Sequence, residues 1–346
     1  MGRVCPPLNI KYWPQANGAE TDLQIECLME ASNEAEMIST VTLNPSIDKT
    51  VYIEKLAPND TNRITRIETD AGGKGINCSR MLKRLGIDAN VVVFLGGSLG
   101  EYIRTTLSRE GIAVSHIETS KPTRTCIAIE ESNGKPPTTL NEKGGPIDHD
   151  EFVNLLELVK NIAVDSQYVV FGGSVPLGLN QDAYNVLIQI CNAKGCKTIL
   201  DTDGAALVEG IKAKPFMVKP NRAEAERLLG KSFSTKTDIY YAALKIADMG
   251  IPLAIISLGK QGSVAAYEGY VYDVSSPKVR TVSTIGSGDS FVAGVVSAIE
   301  RGENIEDALR LGAAAGAATA LSSGSDIGTK QDVERLIGEV KVTKSK

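Results

Sequence analysis

From residue 37 to about residue 342 the chain alternates short apolar runs with longer stretches of helical period. Runs of strand length fall at residues 38–43, 90–95, 168–171, 198–200, 216–218 and 253–257. They do not alternate polar and apolar at every second position, and their mainly apolar character suits strands buried on both faces and predicts a mostly parallel sheet covered by helices. Helical stretches at 75–85, 101–110, 149–161, 181–193, 222–229, 237–248 and 289–300 supply the covering layers. The expected fold class is therefore α/β: a doubly wound, three-layer α/β/α sandwich.

Two segments break this rhythm. Residues 48–70 and about 121–143 alternate polar and apolar positions around turn-forming Pro, Asn and Gly. They read as antiparallel strands with one solvated face, and together they predict a small β-sheet projecting from the main domain as a lid. The other face of such a sheet must be covered by a substrate cleft or a second subunit, so a homodimer through the lid is expected. Residues 1–36 hold the single tryptophan, Trp13, with scattered prolines and acidic residues and no strong period. They are expected to be a poorly ordered extension, or a stretch ahead of a start at Met37, in front of one domain spanning 37–342.

Composition narrows the function. The net charge is -5 and no Lys or Arg run is dense enough to track a phosphate backbone, which argues against nucleic acid. No apolar stretch is long enough to span a bilayer and no secretory leader is legible, so no membrane partner is expected. The six cysteines contain no C-x-x-C pair, and the expected compartment is a reducing cytoplasm. Only two histidines, His116 and His149, are present, so acid/base chemistry must rest on carboxylates, Lys, Arg and backbone amides.

The most informative stretch is T-I-G-S-G-D-S-F at residues 284–291. Gly286, Ser287 and Gly288 let successive backbone N–H groups converge at a helix N-terminus, a geometry that suits a transferring phosphoryl group. Asp289 follows in the first turn, where its carboxylate could accept the proton of an attacking sugar hydroxyl; the competing reading is a helix cap. Neither G-x-x-x-x-G-K-[ST] nor a complete G-x-G-x-x-G is present, so ATP, if bound, is bound by another device.

Gly286-Ser287-Gly288-Asp289, Gly72-Gly73-Lys74-Gly75-Ile76-Asn77 and Asn44-Pro45-Ser46-Ile47-Asp48 occur together. In that combination the chain resembles the ribokinase-like (PfkB) carbohydrate kinase family from about residue 37 to 340. It is most similar to the branch of 1-phosphofructokinases and tagatose-6-phosphate kinases, on the N-P-S-I-D opening, T-R-T-C-I-A-I at 123–129 and K-P-N-R-A-E at 219–224.

The resemblance implies an ATP- and Mg²⁺-dependent kinase of a ketohexose phosphate, with Asp289 as general base. It implies that Asp48 binds sugar hydroxyls, and that Gly73, Lys74 and Asn77 line the sugar site, Lys74 serving the phosphate already on the sugar. Arg124 would clamp that phosphate and Ser174 would lie near it. On the nucleotide side Lys219 would approach the ATP phosphates, Asn221 and Glu224 would organise Mg²⁺ through water, and Ser257, Gly259 and Gly262 would form the nucleotide loop. The small residues at 312–320 would flank the adenine, although close helix packing explains them equally well. Two departures stand out: Val175 where the family has Leu, and Ser283 before Thr284, expected to affect local packing or ion binding near the anion hole.

Other readings compete. Gly96-Gly97-Ser98-Leu99-Gly100 satisfies G-x-S-x-G, the nucleophile elbow of a serine hydrolase, but no histidine follows in the second half of the chain. A sugar-phosphate sensor without turnover, and a kinase of an unphosphorylated sugar or nucleoside, are the remaining alternatives.

Overall fold

In the computed structural model, which describes residues 37–133, 137–324 and 326–346, the apolar runs become adjacent strands of one sheet. The extension expected at 1–36 lies outside the described residues. Strand β1 (Met37–Thr42) leads into β2 (Ser46–Ile53) and β3 (Arg66–Gly72) of a separate small sheet. The chain returns through helix α1 (Lys74–Arg84), β4 (Ala89–Leu95), α2 (Gly97–Arg109) and β5 (Ala113–Glu118). A second excursion, β6 (Arg124–Glu131) and β7 (Thr138–Asn141), precedes α3 (His149–Asp165), β8 (Ser166–Gly172), α4 (Ala183–Asn192) and β9 (Lys197–Asp201). Then come α5 (Gly204–Gly210), β10 (Met217–Val218), α6 (Arg222–Leu229), α7 (Lys236–Ala247) and β11 (Leu253–Ser257). Strands β12 (Ser263–Tyr267) and β13 (Tyr270–Val274) form a hairpin, followed by α8 (Ser287–Glu300), α9 (Ile305–Thr319), α10 (Lys330–Ile337) and β14 (Val342–Ser345).

The large sheet runs in the order β14-β13-β12-β11-β10-β9-β8-β1-β4-β5. From β5 to β11 every pairing is parallel, and β12 to β14 close one edge in antiparallel fashion. Two apolar layers cover its faces: one joins α1, α8 and α9 to the sheet, the other α3, α4, α5 and α7. This is the predicted three-layer sandwich. The C-terminal ends of β1, β8, β9, β10 and β11 open on one side of the sheet, the side on which ligands sit in open α/β folds.

Three details differ from the sequence expectation. First, the lid sheet, ordered β3-β2-β6-β7, is antiparallel at its edges but β2 and β6 pair in parallel, Ser46 opposite Arg124 through Ile53 opposite Glu131. Both strands continue directly from the C-terminal ends of parallel strands, β1 and β5, so both leave the main sheet in the same direction. Second, α2 starts at Gly97, four residues before the expected start. Its glycine-rich first turn reads as a loop in sequence, yet Gly96 serves as the N-cap. Third, the β12–β13 hairpin had not been identified: Glu268 and Gly269 take φ of 51° and 74°, the two-residue turn that matches strand twist.

Candidate active site

Alternation along the lid strands sets up one wall of a cleft. In β2, Ser46, Asp48 and Thr50 share a face, and their parallel partners in β6 are Arg124, Cys126 and Ala128; all six line a cavity of about 500 Å³ between lid and main sheet. The opposite wall is formed by strand ends and helix starts: Thr42, Gly73, Lys74, Asn77, Gly173, Ser174, Asp201, Lys219, Asn221, Glu224, Ser257, Gly286, Gly288 and Asp289.

Asp289 sits in the first turn of α8, 8% exposed, and accepts a hydrogen bond from Asn77 Nδ2 at 2.8 Å. Desolvation pushes its carboxyl up to about 6; Lys74, Asn77 and Lys219 restrain the rise and the Asp201 charge adds to it. Gly286, the N-cap, adopts the left-handed conformation at φ 75°, and no side chain caps the helix. Ser287 N donates to the Thr284 carbonyl at 3.3 Å, and the N–H groups of Gly288 and Asp289 that follow it remain available to an anion. A Cβ on Gly288 would lie 3.2 Å from Lys219 Nζ, so the missing side chain is what lets that ammonium lie along the helix start.

Asp201, at the end of β9, is the principal residue that sequence reasoning missed. It is 3% exposed and holds two lysines, Lys74 Nζ at 2.9 Å on Oδ1 and Lys219 Nζ at 3.4 Å on Oδ2. Burial alone would push its carboxyl up, but Lys219 and Lys74 hold it below the usual value. For Lys74 burial acts downward, and the Asp201 and Asp289 carboxylates more than offset it and keep the ammonium charged. The signal in sequence was only an aspartate at the C-terminal end of an interior strand.

At the lid end, Ser46 Oγ donates to Asp48 Oδ1 at 2.6 Å. Burial raises the Asp48 pKa, with Ser46 and Arg124 pulling it back. A Cβ on Gly72 would fall 2.2 Å from Asp48 Oδ2, so this glycine makes room for the carboxylate. Arg124 donates from Nε (3.2 Å) and Nη2 (3.0 Å) to the Asn44 carbonyl and from Nη1 (2.8 Å) to that of Glu142. Asn44 Nδ2 in turn donates to Ser174 Oγ at 3.1 Å, which gathers Arg124 and Ser174 around one asparagine.

The remaining candidates divide. Asn221 and Glu224 line the cleft and form a capping box at the start of α6: Asn221 Oδ1 accepts from Glu224 N at 3.0 Å, while Asn221 N and Nδ2 donate to the Glu224 carboxylate at 2.8 and 2.7 Å. The helix-start reading and a cleft-facing position therefore hold together. Ser257 reaches the cleft beside Asn221, whereas Gly259 and Gly262 do not line it. A Cβ on Gly262 would meet the Val274 carbonyl oxygen at 1.9 Å, so its absence admits β13. Ser287 likewise stands outside the lining, its Oγ buried without a partner. Helix α9 packs on α8 through Gly312, whose Cβ would lie 2.9 Å from the Phe291 carbonyl oxygen, so tight helix contact accounts for its small residues. Ser283 is buried and its Oγ accepts from Ile285 N at 3.2 Å, shaping the loop before Gly286.

The G-x-S-x-G segment has a structural use. Thr123 N donates to the Gly96 carbonyl at 2.9 Å, Gly96 N donates to Thr123 Oγ1 at 3.1 Å, and a Cβ on Gly96 would overlap the Lys121 carbonyl. Gly96 and Gly100 seat the segment that leads into β6, while Ser98 is exposed, lies outside the cleft and hydrogen-bonds to neither histidine. A hydrolase elbow is not what these residues build.

The comparisons with known proteins agree with this geometry. Residues 41–332 match the pfkB family carbohydrate kinase profile. The 1-phosphofructokinase of Bacillus subtilis (strain 168) is 34% identical over 308 residues, covering 89% of this chain and 100% of the relative. That of Borreliella burgdorferi (strain ATCC 35210 / DSM 4680 / CIP 102532 / B31) is 36% identical over 314 residues, covering 88% and 98%. The crystal structure of phosphofructokinase-2 from Escherichia coli in complex with substrates and products superimposes with a TM-score of 0.84 at 28% identity, covering 88% of this chain and 99% of that one. On the extent of the profile match and of these alignments, the chain belongs to the pfkB family of carbohydrate kinases.

Proposed function

We propose that the protein transfers the γ-phosphoryl group of ATP to the free primary hydroxyl of fructose 1-phosphate, giving fructose 1,6-bisphosphate and ADP. The observation that carries this reading is the placement of a buried, pKa-raised carboxylate, Asp289, beside an uncapped helix N-terminus and two lysines. The relatives' activity identifies the sugar class.

In this reading Asp48 accepts hydrogen bonds from the sugar hydroxyls, and Asn77, whose Oδ1 is buried without a partner, offers a further acceptor beside Gly73. Arg124 keeps two of its five N–H donors beyond those given to Asn44 and Glu142, and with Ser174 takes the resident phosphate. As the hydroxyl oxygen attacks, its proton passes to Asp289, the new O–P bond forms, and the bond to the β–γ bridging oxygen breaks with its electron pair leaving on ADP. The leading N–H groups of α8 face the charge that develops on the transferred group. Lys219 approaches the nucleotide phosphates, with Asn221, Glu224 and Ser257 on the same side and the loop of Gly259 and Gly262 behind them.

Among the described residues no group of three or more His, Cys, Asp or Glu could hold a metal. Asn221 and Glu224 fit a divalent cation that keeps its waters and shares phosphate oxygens, which is the behaviour of Mg²⁺. They would hold it through water, and when bound it neutralises phosphate charge.

The outward face of the lid carries Ile67 and Leu140, 51% and 55% exposed, with Val51 and Ile129 on the same face by register. That apolar face supports a homodimer formed lid to lid. Cys78, Cys126, Cys191 and Cys196 are free thiols, in keeping with a cytoplasmic location.

The test is ADP release with MgATP across fructose 1-phosphate, fructose 6-phosphate, tagatose 6-phosphate, fructose and ribose. The highest kcat/KM is expected for fructose 1-phosphate. A preference for an unphosphorylated sugar would remove the Arg124 assignment, and binding without turnover would make the protein a sensor.

A further inference from the structure

The sequence reading assigns Lys74 to the phosphate already on the sugar. The structure places its ammonium elsewhere. Lys74 Nζ is 2.9 Å from Asp201 Oδ1, on the carboxylate that also pairs with Lys219, and it acts electrostatically on Asp289. Arg124, by contrast, is tied to Asn44 and Glu142 at the base of the lid. In a ketohexose 1-phosphate the resident phosphate and the accepting C6 hydroxyl are at opposite ends of the sugar. If Asp289 marks the accepting end, Lys74 belongs to that end too. The end of β8 is shaped for this path: a Cβ on Gly172 would lie 2.8 Å from Lys74 Cβ, so only glycine lets the lysine stem pass there toward Asp201.

Resting on the reading of Asp289 as base, we propose that Asp201 is a positioning residue that holds Lys74 and Lys219 at the point of transfer, and that Lys74 serves the transferring phosphoryl group rather than the sugar's own phosphate. The charges support this. Asp201 and Asp289 balance Lys74 and Lys219 in the free site. When Asp289 takes the hydroxyl proton, the four groups carry a net positive charge facing the anionic group in transit. The proton passes from the hydroxyl to Asp289 alone, so the proton and electron balance of the transfer is unchanged. Asp201 Oδ2, buried and without a hydrogen-bond partner in the free protein, keeps Lys219 only at 3.4 Å, an arrangement loose enough for the ammonium to move to phosphate oxygens.

The titratable groups around Asp289 are Lys74 and Cys78 from α1, Asp201 from β9 and Lys219 beyond β10, with Glu224 of α6 acting on Lys74. Burial pushes the Cys78 thiol well up, so it stays neutral over the range of interest. Removing the Lys74 charge raises the Asp289 pKa. Removing the Asp201 charge lowers it, both directly and by releasing Lys74 toward Asp289.

The experiment measures kcat, KM and the pH profile of kcat/KM for Lys74→Met, Asp201→Asn and the double variant, using MgATP and fructose 1-phosphate. Circular dichroism confirms the fold, and Asp289→Asn serves as the control for the site itself. Lys74→Met should lower kcat about 100-fold, the scale seen when one stabilising donor is lost from a transition state, with KM for the sugar phosphate within a few-fold. Its acid limb should move to higher pH, while that of Asp201→Asn moves to lower pH. Should Asp201→Asn fail to fold, the kcat and KM of Lys74→Met decide the question alone. A tenfold or greater rise in KM for the sugar phosphate with kcat retained would return Lys74 to the resident phosphate and overturn the proposal. Acid limbs that stay put, or move together, would reduce Asp201 to a structural ion pair. Turnover retained in Asp289→Asn would instead overturn the reading of the base on which this rests.

Discussion

The pKa of Asp289 makes a quantitative prediction about pH. The base must be ionised to accept a proton, so kcat/KM should rise with pH through an apparent pKa of about 6. With that value the ionised fraction is about 0.09 at pH 5 and about 0.99 at pH 8, an increase of roughly elevenfold. A sugar phosphate also titrates near pH 6, as phosphate monoesters do, so the wild-type profile alone does not isolate the enzyme group. Asn77→Leu does, because it removes the 2.8 Å hydrogen bond that favours the carboxylate and leaves the substrate unchanged. A hydrogen bond to a charged group is worth about 1.5–3 kcal/mol, and one pKa unit is about 1.4 kcal/mol, so the acid limb should move up by about one to two units. The assay is ADP release from pH 5 to 9 with both substrates varied. An acid limb shared by the two proteins, or one near 4 in the wild type, would refute the assignment of the limb to a buried Asp289.

Two further changes probe the lid. Gly72→Ala places a methyl group 2.2 Å from Asp48 Oδ2 and must displace that carboxylate, so KM for the sugar phosphate should rise about 10- to 100-fold, the worth of a charged hydrogen bond, while KM for ATP stays within a few-fold; equal rises in both would show a general loss of structure. Leu140→Asp puts a charge on the exposed apolar face of the lid and should convert a dimer to a monomer in light scattering; a monomeric wild type, or a dimer unaffected by the charge, would place the subunit contact elsewhere.

How legible these features were in the sequence follows from the range of the interactions involved. Continuous apolar runs report burial on both faces, which is a local property, so the large sheet and its helices could be read directly. Glycine clusters report turns and close approaches, and Gly286-Ser287-Gly288-Asp289 does form a helix start, one that no side chain caps. Asp201 could not be found this way. Its ion-pair partners are lysines 127 residues before it and 18 residues after it, which meet only when the ends of α1, β9 and β10 come together. The direction of β2 against β6 was hidden for a similar reason: alternation gives the face of each residue but not which strand lies beside it. Lys74 is the complementary case: its motif is legible, but a motif carries no information about which end of the substrate the ammonium meets. Gly262 shows that a family-like glycine can serve strand packing while only its neighbour, Ser257, reaches the cleft.

Burial of Asp289 also has a cost in stability. Because its folded-state pKa lies above the ordinary value of 3.8, the stabilising effect is that of the protonated form: it is complete below pH 3.8 and lost as pH rises through about 6. The measurement that bears most directly on the account is therefore Asp289→Asn, examined at pH 8 for turnover, for binding of fructose 1-phosphate by calorimetry and for thermal stability. The expected result is a fall in kcat of about 1,000-fold with binding of the sugar phosphate preserved and a Tm raised by roughly 4 °C. Turnover within a few-fold of wild type, with the fold intact, would contradict the claim that Asp289 is the base.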